Sequence, residues 1–301
     1  MIATNEAIEE SMTEDAAAPC ALPAAVSALP APDQRRYAAD NVAYWSKRAP
    51  SYAEVNRAEL GGGQIAVWGR ELDRCIQGRF ADRPRAAVRV LDIGTGPGFF
   101  AITLARMGYS VSAVDYTPAM LDEARRNARS VGLGPHAIDF RRMNAADLAF
   151  STGSFDVVVS RNLTWNLPDP AAAYAEWARV LAPGGILLNF DANWYRYLYD
   201  DESAAAHARD RLRVAAGVAD GVVEDDTAGT DVDAMEDIAR RAPLSRRRRP
   251  AWDVTVLGGL GLDAQADETA WKRLWTADEL ANNASTPMFR IAAVKAPETG
   301  R

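Results

Sequence analysis

Val88 to Gly98 reads VRVLDIGTGPG, and the fold class follows from this stretch. Val88, Val90, Leu91 and Ile93 form a short apolar run suited to a strand buried on both faces. Gly94, Gly96 and Gly98 then let the backbone turn tightly and approach a ligand with no Cβ in the way. The apolar spacing next becomes helical, with Phe100, Leu104 and Met107 on one face and Gly108 as the stop. A second strand, Tyr109 to Val114, leads into Asp115, about 20 residues past the first glycine, where a carboxylate can accept both hydroxyls of a ribose. The unit is βαβ with an acid at the end of its second strand, the pattern of a nucleotide-cofactor site.

Further segments extend the alternation. In DYTPAML, Thr117 is placed to cap a helix and Pro118 suits its first turn. FDVVVS, Phe155 to Ser160, is another buried strand. Asp169-Pro170 starts a helix whose Tyr174, Trp177 and Leu181 share a face, and Pro183, Gly184 and Gly185 end it before a strand from Ile186 to Phe190. PMFRIAAVK, Pro287 to Lys295, reads as the final strand.

Composition bounds the function. With 301 residues and 48% apolar content the chain is ample for one core, and its net charge of -7 disfavours a general nucleic-acid or anionic-membrane surface. Cys20 and Cys75 lack metal-ligand spacing and fit a reducing cytoplasm, and no apolar run is long enough to span a bilayer. No His/Cys cluster points to a metal. Residues 1–33 are Ala/Pro-rich and acidic, which predicts a disordered tail and not a signal peptide. The basic run Arg246 to Arg249 predicts a solvated face paired to nearby carboxylates, since it has no interleaved aromatics.

The GxGxG spacing, with Phe99 where a dinucleotide fold would place its third glycine and Asp92 just before the turn, resembles the class I S-adenosylmethionine (SAM)-dependent methyltransferases. The likeness is greatest to their small-molecule, type 11 or UbiE-like branch, and it covers roughly Tyr44 to Asp191. It implies an α/β, Rossmann-like seven-stranded sheet with an N-terminal helical lid, a helical insertion before the last two strands, and a final strand antiparallel to its neighbours. The corresponding boundaries are a lid at 34–80, a core at 81–193, an insertion at 194–250 and completing strands at 251–301. The resemblance implies SAM binding by Asp92, Gly94, Gly96, Gly98 and Asp115, with Tyr116 and Met120 about the adenine. Asn144 and Ala145 stand where relatives carry an Asp-Ala pair, so an amide replaces a carboxylate that only accepts. Tyr52 matches the aromatic that closes over the methionine end; otherwise its helix simply packs on the sheet.

The reaction is expected to be chosen by SRNLTWNLPDP and NFDANWYRYLYDDE, which follow strand C-terminal ends where open α/β sheets bind ligands. Asn162 would face the sulfonium, and Trp165, Trp194, Tyr195, Tyr197 and Tyr199 supply aromatic faces for a cation or a stacked substrate. Holding a nucleophile in line contributes about 7 kcal/mol or more, so a general base is optional; His136 and His207 are the candidates. The leading expectation is methyl transfer from SAM to an N, O or C atom of a small molecule. The close alternative makes SAM the sole substrate, its amine displacing methylthioadenosine to give azetidine-2-carboxylate; the pairing of Asn162 with Tyr199 is similar to the azetidine synthases of this fold. A non-catalytic SAM-binding protein and a nicotinamide oxidoreductase are the other readings, the latter disfavoured by the glycine spacing and by NAADLAF. The chain does not indicate an oligomeric state.

Overall fold

The protein is described here by a computed structural model covering residues 30–227 and 230–298. The expected tail at residues 1–29 lies outside the described residues, and helix α1 (Ala31–Gly61) already begins within the remainder of that segment. After α2 (Gln64–Phe80) the chain alternates through β1 (Arg89–Ile93), α3 (Phe99–Arg106), β2 (Ser110–Asp115), α4 (Pro118–Ser130), β3 (Ile138–Arg142), β4 (Phe155–Arg161), α5 (Pro170–Val180) and β5 (Leu181–Asp191). Then come α6 (Asp201–Ala219), α7 (Val232–Ala239), α8 (Ala251–Gly259), β6 (Leu262–Asp267), α9 (Trp271–Leu274), α10 (Ala277–Asn283) and β7 (Phe289–Lys295).

The strands form one seven-stranded sheet in the order β3-β2-β1-β4-β5-β7-β6. The first five are mutually parallel, and β7 enters antiparallel to both β5 and β6, as the family pattern implies. Period-two alternation sends successive residues of β4 to opposite cores: Val157 and Val159 pack with Trp68 and Phe100, while Val158 packs with Tyr174 and Trp177. Both faces of the central strands are covered, which is why the middle of β4, Val157 to Val159, is apolar, whereas the edge strands β3 and β6 carry exposed polar residues. A third cluster joins Tyr37 of α1, Trp165 after β4, and Met235 and Ile238 of α7, so the lid and the insertion share a small core over the sheet's C-terminal edge.

Local details differ from expectation. Thr117 occupies the N-cap of α4 without a side-chain capping bond; instead its N–H donates to Asp115 Oδ1 at 2.8 Å. Asp169 does cap α5, accepting from Ala172 N at 2.9 Å. β5 begins at Leu181 and not at Ile186: Leu181 pairs with Phe155, and the ladder shifts register before resuming at Val157 with Ile186. Gly184, at φ 75°, lies within that irregularity. The C-terminal part is also more helical than expected, with α8 ahead of β6 and two short helices between β6 and β7.

Gly94 has φ 69°, and a Cβ there would come within 2.6 Å of Leu163 Cδ2. Gly94→Ala is therefore expected to lose about 1–2 kcal/mol from handedness alone, with further loss from the clash, read as a lower midpoint in urea denaturation.

Candidate active site

The end of β1 and the end of β4 lie side by side at the point where strand order reverses, the usual ligand crevice of an open α/β sheet. On the β1 side the turn is pinned from below. The N–H groups of Gly94 and Thr95 both donate to Val114 O, at 2.9 and 3.0 Å. Asp115 reaches across to accept from Gly96 N at 2.9 Å through Oδ2 and from Thr117 N through Oδ1. Each carboxylate oxygen has a second lone pair, so these bonds orient Asp115 without exhausting it. Asp92 is fully buried and accepts from Thr95 Oγ1 at 2.7 Å and Ala101 N at 3.1 Å. Burial pushes its carboxyl up to about 7, against those two donors, and burial likewise raises Asp115.

The next wall comes from β2 and β3. Tyr116 is exposed at the rim, with the Arg142 guanidinium 5.3 Å from its ring centroid, and Met120 is buried behind it. Asn144 turns its Oδ1 onto Ala146 N at 3.0 Å, and Ala145 O accepts from Trp177 Nε1 at 2.9 Å. All four residues line the same cavity as Gly94, Gly96, Asp92 and Asp115. Gly98 does not; its φ is 95°, and a Cβ there would lie 3.1 Å from Ala124 Cβ, so it serves the close approach of α3 to α4.

From β4, Arg161, Asn162 and Trp165 face the cavity. Asn162 has φ 56°, the one non-glycine residue with positive φ among the described residues, and its N–H donates to Phe190 O at 2.8 Å. Its side-chain Oδ1 is buried with no protein partner. Tyr52 of α1 crosses the opening, its Cε1 3.8 Å from where a Cβ on Gly96 would be. Burial raises the Tyr52 hydroxyl, opposed by Arg161 and by the neighbouring Asn162 amide, so it stays protonated at neutral pH.

The end of β5 is organised by a buried ion cluster. Arg249 donates to Asp191 at 2.6 Å and to Asp253 at 2.7 Å, all three side chains being excluded from water. Asp191 also accepts from Trp165 N and from Trp194 Nε1, both at 3.0 Å. The expectation of a solvated arginine face paired to carboxylates thus divides: Arg246 to Arg248 are exposed with no carboxylate partner among the described residues, whereas Arg249 has the carboxylates and is buried, since only a cation offsets two buried negative charges. Trp194, Tyr195 and Tyr197 line the cavity, but Tyr199 does not. Its hydroxyl donates to Arg240 O and its ring carries the Arg246 guanidinium, so the expected pairing of Asn162 with Tyr199 is not formed.

These walls enclose a cavity of about 710 Å³ that continues past Asn162 to His207 and Arg211 of α6, Asp226, and Asn282 and Asn283 of α10. Arg161 is a charge ending an apolar strand, a local signal for a functional residue; its guanidinium sits 4.7 Å from the Trp68 ring and bonds Glu59 at 2.8 Å. Arg211 and Asn282, 2.7 Å apart through the Asn282 carbonyl, meet only through the fold.

Residues 91–189 match a family described as a methyltransferase domain. This stretch is a class I SAM-dependent methyltransferase domain. The domain is 38% identical over 103 residues to a ubiquinone biosynthesis O-methyltransferase of Xanthomonas oryzae, covering 34% of this chain and 42% of the relative. A demethylmenaquinone methyltransferase of Thermus thermophilus is 34% identical over 146 residues, 48% of this chain and 62% of the relative. The chain thus spans about half the length of the relatives it matches. Among solved structures, a magnesium protoporphyrin IX methyltransferase of Synechocystis superposes with a TM-score of 0.46 at 18% identity, covering 77% of this chain and 84% of that one. The domain match ends before the insertion, so His207 and Arg211 lie outside it.

Two outcomes test this geometry. Arg249→Met leaves Asp191 and Asp253 buried and unpaired, and is expected to cost about 3–5 kcal/mol of stability in denaturant titration. The second concerns Asp92. Its folded carboxyl is raised above the ordinary 3.8, so its contribution to stability is complete below about pH 4 and is lost as pH rises through about 7. Relative to Asp92→Asn, which keeps an acceptor oxygen, the ligand-free native protein should lose stability between those limits.

Proposed function

We propose that the protein transfers the methyl group of SAM to a small-molecule acceptor. The observation that carries this reading is one cavity that extends from the glycine turn past Asn162 to residues of α6 and α10, lined also by α1. Its volume is in the range of sites that enclose small ligands. The residues present suit SAM: a glycine turn open to a close approach, Asp115 with free lone pairs for ribose hydroxyls, and a buried Asn162 Oδ1 that needs a donor such as an ammonium. Tyr116 and Met120 would flank the adenine, beside Asn144 and Ala145. When bound, SAM supplies a methyl carbon made electrophilic by its sulfonium.

The chain's own residues bind, orient and exclude water. Tyr52 covers the turn, and Trp45 lies 5.9 Å from it between centroids, so α1 shields the reacting centre. Trp165 and Tyr195, 4.8 Å apart, form the opposite wall. Alignment of the acceptor between these walls is the larger part of the acceleration. The extent of the cavity beyond Asn162 favours a second molecule over cyclisation of SAM on itself, and Tyr199 lies outside the cavity. Relatives named for O-methyl transfer make oxygen acceptors the first to try.

Incubation with SAM and small hydroxylated acceptors, followed by mass spectrometry, should yield S-adenosylhomocysteine and methylated acceptor together, with SAM alone nearly unchanged. Release of methylthioadenosine and azetidine-2-carboxylate from SAM alone would replace this reading with cyclisation.

A further inference from the structure

An ion pair that does not close lines the far end of the cavity. Arg211 of α6 and Asp226 of the loop before α7 both line it, and their nearest approach is 3.7 Å, beyond a hydrogen bond. Each has groups left over. Arg211 donates from Nη1 to Asp225 Oδ1 at 3.2 Å and from Nη2 to the Asn282 carbonyl at 2.7 Å and to its Oδ1 at 3.2 Å, while its Nε has no partner among the described residues. Asp226 accepts from Asn283 Nδ2 through Oδ2 at 3.1 Å, and its Oδ1 accepts no hydrogen bond among the described residues. With 28% and 46% of these two side chains accessible, a ligand can reach both.

The other charges nearby are compensated. Asp225 accepts from Thr227 N and Oγ1 as well as from Arg211, Asp210 pairs with Arg213 and accepts from Ser285 N at 2.7 Å, and Glu236 pairs with Arg240 at 2.7 Å. A lone carboxylate brought to Arg211 would meet Asp225 and Asp226, and a lone ammonium brought to Asp226 would meet the guanidinium. A ligand that carries both charges on neighbouring groups offers each side chain its opposite and leaves the local charge unchanged. A line of contacts joins this pair to Asn162. Trp165 Nε1 donates to Asn162 O at 3.0 Å, the Trp165 and Tyr195 rings are 4.8 Å apart, Tyr195 lies 5.9 Å from Tyr197, and Tyr197 stacks on His207 at 3.9 Å. His207 precedes Arg211 by four residues on α6, so the two share a helix face.

We propose that this end of the cavity binds the zwitterionic head of an α-amino acid acceptor, its carboxylate on Arg211 and its ammonium on Asp226, while its side chain runs along the aromatic faces and ends at Asn162 in the hydroxyl that takes the methyl group. The inference rests on the methyl-transfer reading above and supplies its acceptor class. The pair is an anchor remote from the reacting atoms, and both residues lie outside the matched domain. At the other end of the acceptor, the hydroxyl oxygen's electron pair forms the bond to the methyl carbon while that carbon's bond to sulfur breaks, its pair staying on sulfur. The hydroxyl proton leaves to water.

The test gives the full-length protein SAM and two matched sets of compounds: L-tyrosine with tyramine and 3-(4-hydroxyphenyl)propionate, and L-homoserine with 3-aminopropanol and 4-hydroxybutyrate. In at least one set the amino acid should exceed both single-charge analogues by about tenfold or more in kcat/KM. Arg211→Gln should abolish the preference over the amine. Asp226→Asn, which leaves the contact of Arg211 with Asn282 in place, should abolish the preference over the acid. Each loss should be about 10-fold to 100-fold and lie mainly in KM, whereas a merely structural role would weaken all three compounds alike. Calorimetry should give both variants the wild-type SAM affinity; weaker SAM binding would assign the pair to the cofactor and overturn the proposal. Equal kcat/KM across both sets, or preferences unchanged in both variants, would overturn the zwitterion site and leave methyl transfer standing. If none of the six compounds is methylated, calorimetry of the same sets with the S-adenosylhomocysteine-bound protein decides: amino-acid-selective binding that the variants lose upholds the site, and unselective or absent binding overturns it. Neither result touches the parent reading, which the screen of hydroxylated acceptors decides separately.

Discussion

The bond between Arg249 and Asp191 ties the site to the sheet. Asp191 ends β5, and its carboxylate gathers Trp165 from the β4 loop, Trp194 from the β5 loop and Arg249 from the segment before α8. Desolvating these charges is costly, and only the combined donors offset it. Asp253 and Tyr174 extend the cluster, with Tyr174 Oη 2.7 Å from Asp253 and 2.8 Å from Asn189 Nδ2. The cluster therefore ties the loops after β4 and β5 to the segment before α8.

A second constraint is backbone handedness at the switch point. Gly94, Gly96 and Asn162 all take left-handed conformations on either side of the crevice. For glycine this is nearly free. Asparagine tolerates it at some cost, and a buried amide oxygen without a partner adds to that cost. Cost concentrated where two strand ends meet is the pattern of a site organised before its ligand arrives.

The lid and the insertion depend on one another. Tyr37 of α1 donates to Asn166 Oδ1 at 2.7 Å, Asp40 pairs with Arg241 at 2.8 Å, and Lys47 meets Asp231 at 3.2 Å. The ion pairs are exposed and individually weak. The shared apolar cluster does most to hold α1 over the cavity, with Tyr37 fully buried against Trp165 and Met235.

What the sequence by itself determined was local: apolar runs that must be strands, a glycine turn, an acid following the second strand, and the helix start at Asp169. Each of these is a short-range pattern in which neighbouring residues carry the cause. Recognition of the family placed the last strand antiparallel and brought Asn144, Asn162 and Tyr52 into view. Only the tertiary structure separated Arg249 from the three exposed arginines before it, moved Tyr199 out of the cavity and Gly98 behind it, and set His207 on the cavity wall. Those outcomes turn on residues tens of positions apart, such as Asp191 with Arg249 or Trp165 with Tyr195. Whether a charge is buried or solvated, and which way a ring on a loop faces, is decided by the partner that packs against it.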